Sequence, residues 1–119
     1  MFSFFKSKGS KMNIRKIDDA FAITGQITPD QVKAVAEAGY QSILCARPDD
    51  EEYGQPAFAD VARAAEDAGL IILHIPVSGG LREGDIIRFH EAWPDLPKPV
   101  LAYCRSGARA GSLYQTLAK

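Results

Sequence analysis

One short turn holds the residues best suited to chemistry. Cys104 follows the apolar run 100–103 and is followed by Arg-Ser-Gly-Ala-Arg, which leads into a helical segment. The Arg109 guanidinium can offer a bidentate fork to a tetrahedral oxyanion, and Arg105 can steer an anion towards the turn. The backbone N–H groups that can surround a point in front of the sulfur are those of Ser106, Gly107, Ala108 and Arg109.

The setting of this turn favours a reactive thiol over a packing residue. A helix that starts at the turn adds a partial positive charge, and such a field favours the thiolate form of cysteine, which is the nucleophile. A lone buried cysteine is usually a small core residue, but packing alone would not place a glycine and two arginines beside it. The turn therefore predicts a cysteine nucleophile with a cradle for phosphate or a sulfur oxyanion.

The elements around the turn predict a three-layer α/β domain with a mostly parallel central sheet. Ligands bind beyond the carboxyl ends of the strands in such a sheet, and Cys104 stands at that position. Buried strands are predicted at 42–46, 70–75 and 100–103, and two shorter strands at 13–18 and 21–25. Helices are predicted from Thr28 to Gly39, from Pro56 to Gly69, over 85–93 and from Ala110 onwards.

The composition fits one globular domain. The chain has 119 residues, of which 46% are hydrophobic and 24% charged. We predict a flexible arm over residues 1–11 and a domain over 12–119. A net charge of −1 gives no general attraction for nucleic acid or an anionic membrane, so a small oxyanion substrate is the expected partner. The absence of a secretory pattern predicts a cytoplasmic location, and the sequence leaves the oligomeric state open.

The two cysteines, Cys45 and Cys104, argue against zinc, because they form no CxxC pair and no cluster with histidine. We expect neither a metal nor an organic cofactor. Cys45 ends a strand that is predicted to neighbour the strand before Cys104. A reversible disulfide between the two thiols, protecting the nucleophile or resolving a persulfide, is one hypothesis for Cys45, and a core role is the other.

Several separated motifs resemble the beta-lactamase-hydrolase-like, phosphatase-like domain family. The similarity covers roughly residues 13 to 118 and is carried by the segments 23–31 (ITGQITPDQ), 45–52 (CARPDDEE), 74–80 (HIPVSGG) and 99–110 (PVLAYCRSGARA). This resemblance implies a fold like that of dual-specificity phosphatases. It also implies that Cys104 is the nucleophile and that the loop from Arg105 to Arg109 is the oxyanion site.

The length of this loop leaves the chemistry open. Cysteine phosphatases carry Cys-x5-Arg followed by Ser or Thr, whereas Arg109 is the fifth residue after Cys104, which gives Cys-x4-Arg, and Ala110 follows it. The shorter loop resembles that of rhodanese sulfurtransferases, which carry sulfur as a persulfide. The first interpretation is a phosphatase that works through a phospho-cysteine. Sulfur transfer through a Cys104 persulfide and a non-catalytic anion-binding module are the alternatives.

A phosphatase also needs an acid that protonates its leaving group. Dual-specificity phosphatases place that acid soon after a strand like 74–77, where this chain has Ser-Gly-Gly, and the next acidic residues are Glu83 and Asp85. Glu83 is the candidate acid, because Asp85 is more simply a first-turn helix residue. His74 is interpreted as a hydrogen-bonded core histidine, Arg47 as a rim residue or a partner of Asp49, and the run 49–52 as a solvated loop.

Overall fold

The computed structural model describes residues 12–118, so the predicted arm over 1–11 lies outside the described residues. The strands are β1 Arg15–Lys16, β2 Phe21–Thr24, β3 Ser42–Cys45, β4 Ile71–His74 and β5 Val100–Tyr103. The helices are α1 Val32–Glu37, α2 Phe58–Asp67, α3 Glu83–Ala92 and α4 Ala108–Gln115. Short 3-10 turns, Pro29–Gln31 and Trp93–Asp95, precede α1 and follow α3. Within residues 12–118 no helix is long and apolar enough to span a membrane.

The strands form a single five-stranded sheet in the order β1-β2-β5-β3-β4. Only the β1–β2 pair is antiparallel; the other described pairs are parallel. The predicted mostly parallel sheet is therefore confirmed. In the register of this sheet Cys45 lies beside both Tyr103 and His74, so β3, β4 and β5 end at the same level. Cys104 follows immediately at this carboxyl edge.

Two apolar clusters, one on each face of the sheet, make the three layers. Because successive side chains of a strand point to opposite faces, Leu101 and Tyr103 face one way while Val100, Ala102 and Cys104 face the other. One cluster joins the first set to α1 and α2. The other cluster joins the second set to α3 and α4. The central strands are buried on both faces, which explains their unbroken apolar sequence.

The helix ends differ in detail from their predicted positions. The predicted first helix begins as a 3-10 turn, where the Thr28 N–H donates to Gln31 Oε1 at 2.9 Å, and becomes α-helical at Val32. Helix α3 buries Phe89. His90, the next residue of this helix, is exposed, and its Nε2 lies 2.8 Å from the Thr116 hydroxyl oxygen.

The two-sided core makes the middle of the sheet the most sensitive part of the domain. Leu101 has no exposed surface, whereas Ile71 on the edge strand β4 is 51% exposed. We expect Leu101→Ala to lower the free energy of unfolding by about 2–5 kcal/mol, because it leaves a cavity. Ile71→Ala is the matched control and should cost clearly less. Urea unfolding followed by circular dichroism measures both; equal losses would contradict this description of the core.

Candidate functional site

The Cys104 turn joins β5 to α4 at the carboxyl edge of the sheet. Cys104 itself is 1% exposed and packs in the cluster beneath α3 and α4. The backbone N–H of Gly107 donates to the Cys104 sulfur at 3.1 Å, which fixes the loop around the thiol. An N–H directed at sulfur stabilises negative charge there. The structure thus places the predicted nucleophile inside the turn, with a backbone donor directed at its sulfur.

Two glycines allow the turn to pack against the end of β2. Gly107 has a φ of 99°, and a Cβ built on it would lie 3.3 Å from the Thr24 carbonyl oxygen. A Cβ on Gly25 would lie 2.9 Å from the carbonyl oxygen of Arg105, so that position is closed to any side chain. This close approach holds the Cys104 turn against the carboxyl end of β2. These glycines are therefore structural parts of the site.

Arg109 reaches from α4 across the loops that follow β3 and β4. Its Nη1 donates to the Val77 carbonyl oxygen and to Glu51 Oε2, both at 2.7 Å, and its Nη2 donates to Glu51 Oε1 at 2.9 Å. Arg109 also lies close enough to Cys104 for that thiol to contribute to the raised pKa of the guanidinium, although the hydrogen bonds with Glu51 are the larger cause. Arg109, the residue predicted to bind the oxyanion, is thus held at a defined position beside the Cys104 sulfur.

Arg47 is a second arginine in this network, and it is 2% exposed. Its three nitrogens donate to Glu51 Oε1, Gln26 Oε1 and Glu52 Oε1, each at 2.9 Å. Burial of a charged group is costly unless it is paired, and here two carboxylates and an amide supply the partners. Glu51 therefore bridges a buried arginine and Arg109.

The acidic run 49–52 makes contacts that its sequence pattern does not predict. The loop is exposed, as predicted, but Glu51 and Glu52 also bind arginines, and Asp49 Oδ1 accepts the Phe58 N–H at 2.8 Å at the start of α2. The proposed Arg47–Asp49 pair is replaced by the pairs with the two glutamates. The segment 45–52 did stand among the motifs of the family resemblance, which was the available signal for its role.

The remaining residues of the turn are more open to solvent. Arg105 is exposed, and its Nε lies 3.7 Å from Glu52 Oε1. The Ser106 hydroxyl accepts the Ala108 N–H at 3.3 Å, so this amide already has a partner inside the loop. Gln26, a site residue not predicted from the sequence, donates its backbone N–H to the Arg105 carbonyl oxygen at 3.4 Å. Gln26 therefore ties the turn to Arg47.

Glu83, the candidate acid, is exposed in the first turn of α3. Its neighbour Asp85 is buried and accepts the Arg82 N–H at 3.1 Å, as a first-turn helix residue should. A role for Glu83 in proton transfer requires movement of the glycine-containing segment before α3, and it stays a prediction. Among residues 12–118, no group of three or more His, Cys, Asp and Glu side chains is placed to hold a metal ion.

Cys45 lies in the other core cluster from Cys104, on the opposite face of the sheet, and both thiols are free. Burial raises the pKa of Cys45, and its Sγ–H donates to the Arg47 carbonyl oxygen at 3.4 Å. His74 Nε2 lies 2.9 Å from the same carbonyl, and its ring stacks on Phe58, which fits a structural histidine. Cys45 and Cys104 thus lie in separate clusters on opposite faces of the sheet, and the redox role of Cys45 stays a prediction.

The fold and the turn together define a cysteine-phosphatase-like α/β domain. The family described as beta-lactamase hydrolase-like protein, phosphatase-like domain, matches residues 13–118. The chain belongs to this family, and the resemblance noted from the sequence is confirmed.

Known relatives agree with this assignment. A beta-lactamase hydrolase-like protein of Xylella fastidiosa (strain Temecula1) is 40% identical over 104 residues, which cover 87% of this chain and 24% of the relative. The chain thus spans about a quarter of the length of that curated relative. A crystal structure of a candidate phosphatase from Neisseria meningitidis Z2491 is 37% identical with a TM-score of 0.79, and covers 87% of this chain and 75% of the other. A kinase associated phosphatase matches in fold alone, at 13% identity and a TM-score of 0.72 over 93% of this chain and 74% of the other.

We expect the charge on Glu51 to affect how the free energy of unfolding of the domain changes in acid. The hydrogen bonds from Arg109, with a further contribution from Arg47, lower the pKa of Glu51 from 4.5 to about 2. A lowered folded-state pKa stabilises the protein above the unfolded pKa, and this stabilisation is lost as the pH falls through the folded pKa. We expect Glu51→Gln to be destabilising at neutral pH, with the difference from wild type shrinking between pH 4.5 and about 2.

Urea unfolding of both proteins at several pH values between about 2.5 and 7 measures this difference in unfolding free energy. Parallel pH profiles for wild type and Glu51→Gln would show that the ion pairs of Glu51 with Arg109 and Arg47 contribute nothing to folding.

Proposed function

We propose that this domain hydrolyses a phosphate ester through a phospho-cysteine at Cys104. The observation that carries the proposal is the Cys104 sulfur receiving the Gly107 N–H at 3.1 Å while Arg109 is held beside it. Membership of a phosphatase-like family and the likeness to phosphatase structures support the same reaction class.

In the first step the Cys104 thiolate attacks phosphorus, an S–P bond forms and the ester P–O bond breaks. The leaving oxygen takes up a proton from water, or from Glu83 if its segment moves inward. Loop N–H groups and Arg109 stabilise the charge on the equatorial oxygens, which is the largest contribution that such a site makes. In the second step water attacks phosphorus, and the S–P bond breaks to release inorganic phosphate and restore the thiolate.

Arg109 can hold an oxyanion without leaving Glu51. A guanidinium has five N–H donors, and the bonds to Val77 and Glu51 use three of them. The two that remain, on Nε and Nη2, form one edge of the guanidinium and suit two oxygens of a tetrahedral anion. Glu51 thus orients the arginine and leaves these two donors for the Cys104 side of the site, where the guanidinium also interacts with the sulfur.

Sulfur transfer is the second candidate, and the length of the loop is the observation that favours it. The Cys-x4-Arg spacing gives one residue fewer than the cysteine-phosphatase loop, and hence one backbone N–H fewer around the anion. In this reaction the thiolate attacks the outer sulfur of a donor such as thiosulfate, an S–S bond forms on Cys104 and sulfite leaves. A thiol or cyanide acceptor then takes the outer sulfur and restores the thiolate, so no general acid is needed.

Turnover of p-nitrophenyl phosphate tests the first candidate, because its good leaving group removes the need for an acid. We expect Cys104→Ser to lose at least about 100-fold in turnover, since the nucleophile is gone. Arg109→Lys keeps the charge but loses the planar fork, so a loss of roughly 100-fold in kcat is expected. Cys45→Ala is the matched control, because it removes the thiol on the opposite face of the sheet, and it should retain turnover.

The same proteins are then assayed for transfer from thiosulfate to cyanide. No phosphate ester turnover by folded, reduced wild type, together with thiocyanate formation that requires Cys104, would overturn the phosphatase proposal in favour of sulfur transfer. Turnover that survives Cys104→Ser in both assays would exclude this thiol as the nucleophile.

A further inference from the structure

The positive charges around Cys104 are nearly balanced by carboxylates of one loop. Glu51 pairs with Arg109 at 2.7 Å and with Arg47 at 2.9 Å, and Glu52 pairs with Arg47 at 2.9 Å and approaches Arg105 to 3.7 Å. Three arginines therefore face two glutamates, which leaves one positive charge. In the thiolate form that the proposed reaction uses, Cys104 offsets that remaining charge. The site consequently has little attraction for an anion beyond the group that its N–H donors hold directly.

Glu51 and Glu52 occupy different depths in this network. The Glu51 side chain is 26% exposed and lies between Arg47 and Arg109. The Glu52 side chain is 50% exposed and lies next to Arg105, whose side chain is 69% exposed. Glu52 is thus the carboxylate at the open side of the turn, beside the arginine that would otherwise attract anions from solution.

Buried Arg47 holds Glu52 in place. The guanidinium is fixed by Gln26 and Glu51 and donates from its remaining nitrogen to Glu52, so this carboxylate does not swing freely as a surface glutamate does. The hydrogen bond from Arg47 also lowers the pKa of Glu52, which keeps it charged throughout the neutral range. A fixed negative charge at the entrance is a permanent feature of the site.

We propose that Glu52 is a specificity-determining residue that restricts the site to substrates whose reacting oxyanion is their only negative charge. The part of the substrate that extends towards Glu52 is then uncharged or cationic. Polyphosphates and polyphosphorylated molecules place further charge against Glu52 and are rejected. The proposal rests on the proposed function only in naming phosphate as the reacting group; the charge selection itself concerns anion binding and is measurable without turnover.

Coulomb's law sets the size of the effect. For a charge about 6 Å from Glu52 in a largely aqueous setting, each additional negative charge on the ligand should weaken binding about threefold to fivefold. Because the charges are exposed, salt at roughly 0.5 M should remove most of this penalty, since the screening length then falls to a few ångström.

The test measures binding of phosphate, pyrophosphate and tripolyphosphate to the reduced protein. Protection of Cys104 from alkylation by uncharged iodoacetamide gives the affinity, and mass spectrometry of the peptide that contains Cys104 separates it from Cys45. The variant is Glu52→Gln. The matched control is Glu66→Gln, which makes the same change in net charge. Glu66 is exposed near the end of α2, at the amino-terminal end of the parallel strands and away from the Cys104 turn.

We expect wild type to bind tripolyphosphate no more tightly than phosphate, and Glu52→Gln to shift this ratio at least fivefold towards tripolyphosphate. Glu66→Gln should leave the ratio unchanged. In wild type alone, raising the salt should shift the ratio in the same direction, so the proposal is testable even if Glu52→Gln fails to fold.

Three results would overturn the proposal. They are wild type that prefers tripolyphosphate at low salt, an equal shift in Glu52→Gln and Glu66→Gln, and no protection of Cys104 by any of the anions. Absence of p-nitrophenyl phosphate turnover with the expected binding ratios would instead refute the phosphatase reaction and leave the charge selection standing.

Discussion

The carboxylate of Glu51 is the interaction on which the rest of the site depends. It accepts hydrogen bonds from Arg47 Nε and from both terminal nitrogens of Arg109. Arg47 is 2% exposed, and a buried guanidinium is tolerated only when its donors are paired. The need to pair Arg47 therefore fixes the acidic loop, and the acidic loop fixes Arg109 next to Cys104. One buried charge thus connects the acidic loop to Arg109.

The sheet positions the loops that carry this network of ion pairs. Strands β3, β4 and β5 are in register, so the segments that follow them start at the same level, and Arg109 can contact Glu51 and Val77 together. The core clusters on the two faces keep these strands in place. Gly25 and Gly107 bring the Cys104 turn against β2 from the other side. A site made of loops gains its precision from the parallel sheet beneath it.

An arginine-rich turn suggests both local donors for an anion and a strongly positive site, and the distribution of charge separates these two properties. In the proposed reaction Arg109 and the loop amides hold one oxyanion, while the carboxylate partners of Arg105 and Arg47 offset most of the positive charge of the arginines. The hydrogen-bond donors that would contact the anion and the net charge of the site are therefore set by different residues. Relatives with the same turn and a different loop after β3 would be expected to differ in the charge of the substrates they accept, while the chemistry at the cysteine stays the same.

The sequence by itself determined the α/β class, the mostly parallel sheet and the Cys104 turn, because each depends on local patterns: apolar runs, helix ends, and a cysteine, a glycine and two arginines within six positions. It also identified the family. Only the tertiary structure decided the partners of the arginines. Arg109 and Glu51 are 58 residues apart, and no local pattern distinguishes Glu51 from its acidic neighbours, so the sequence does not predict this pair. The separation of Cys45 from Cys104 likewise follows from the alternation of side chains across paired strands, which the order and register of the strands determine.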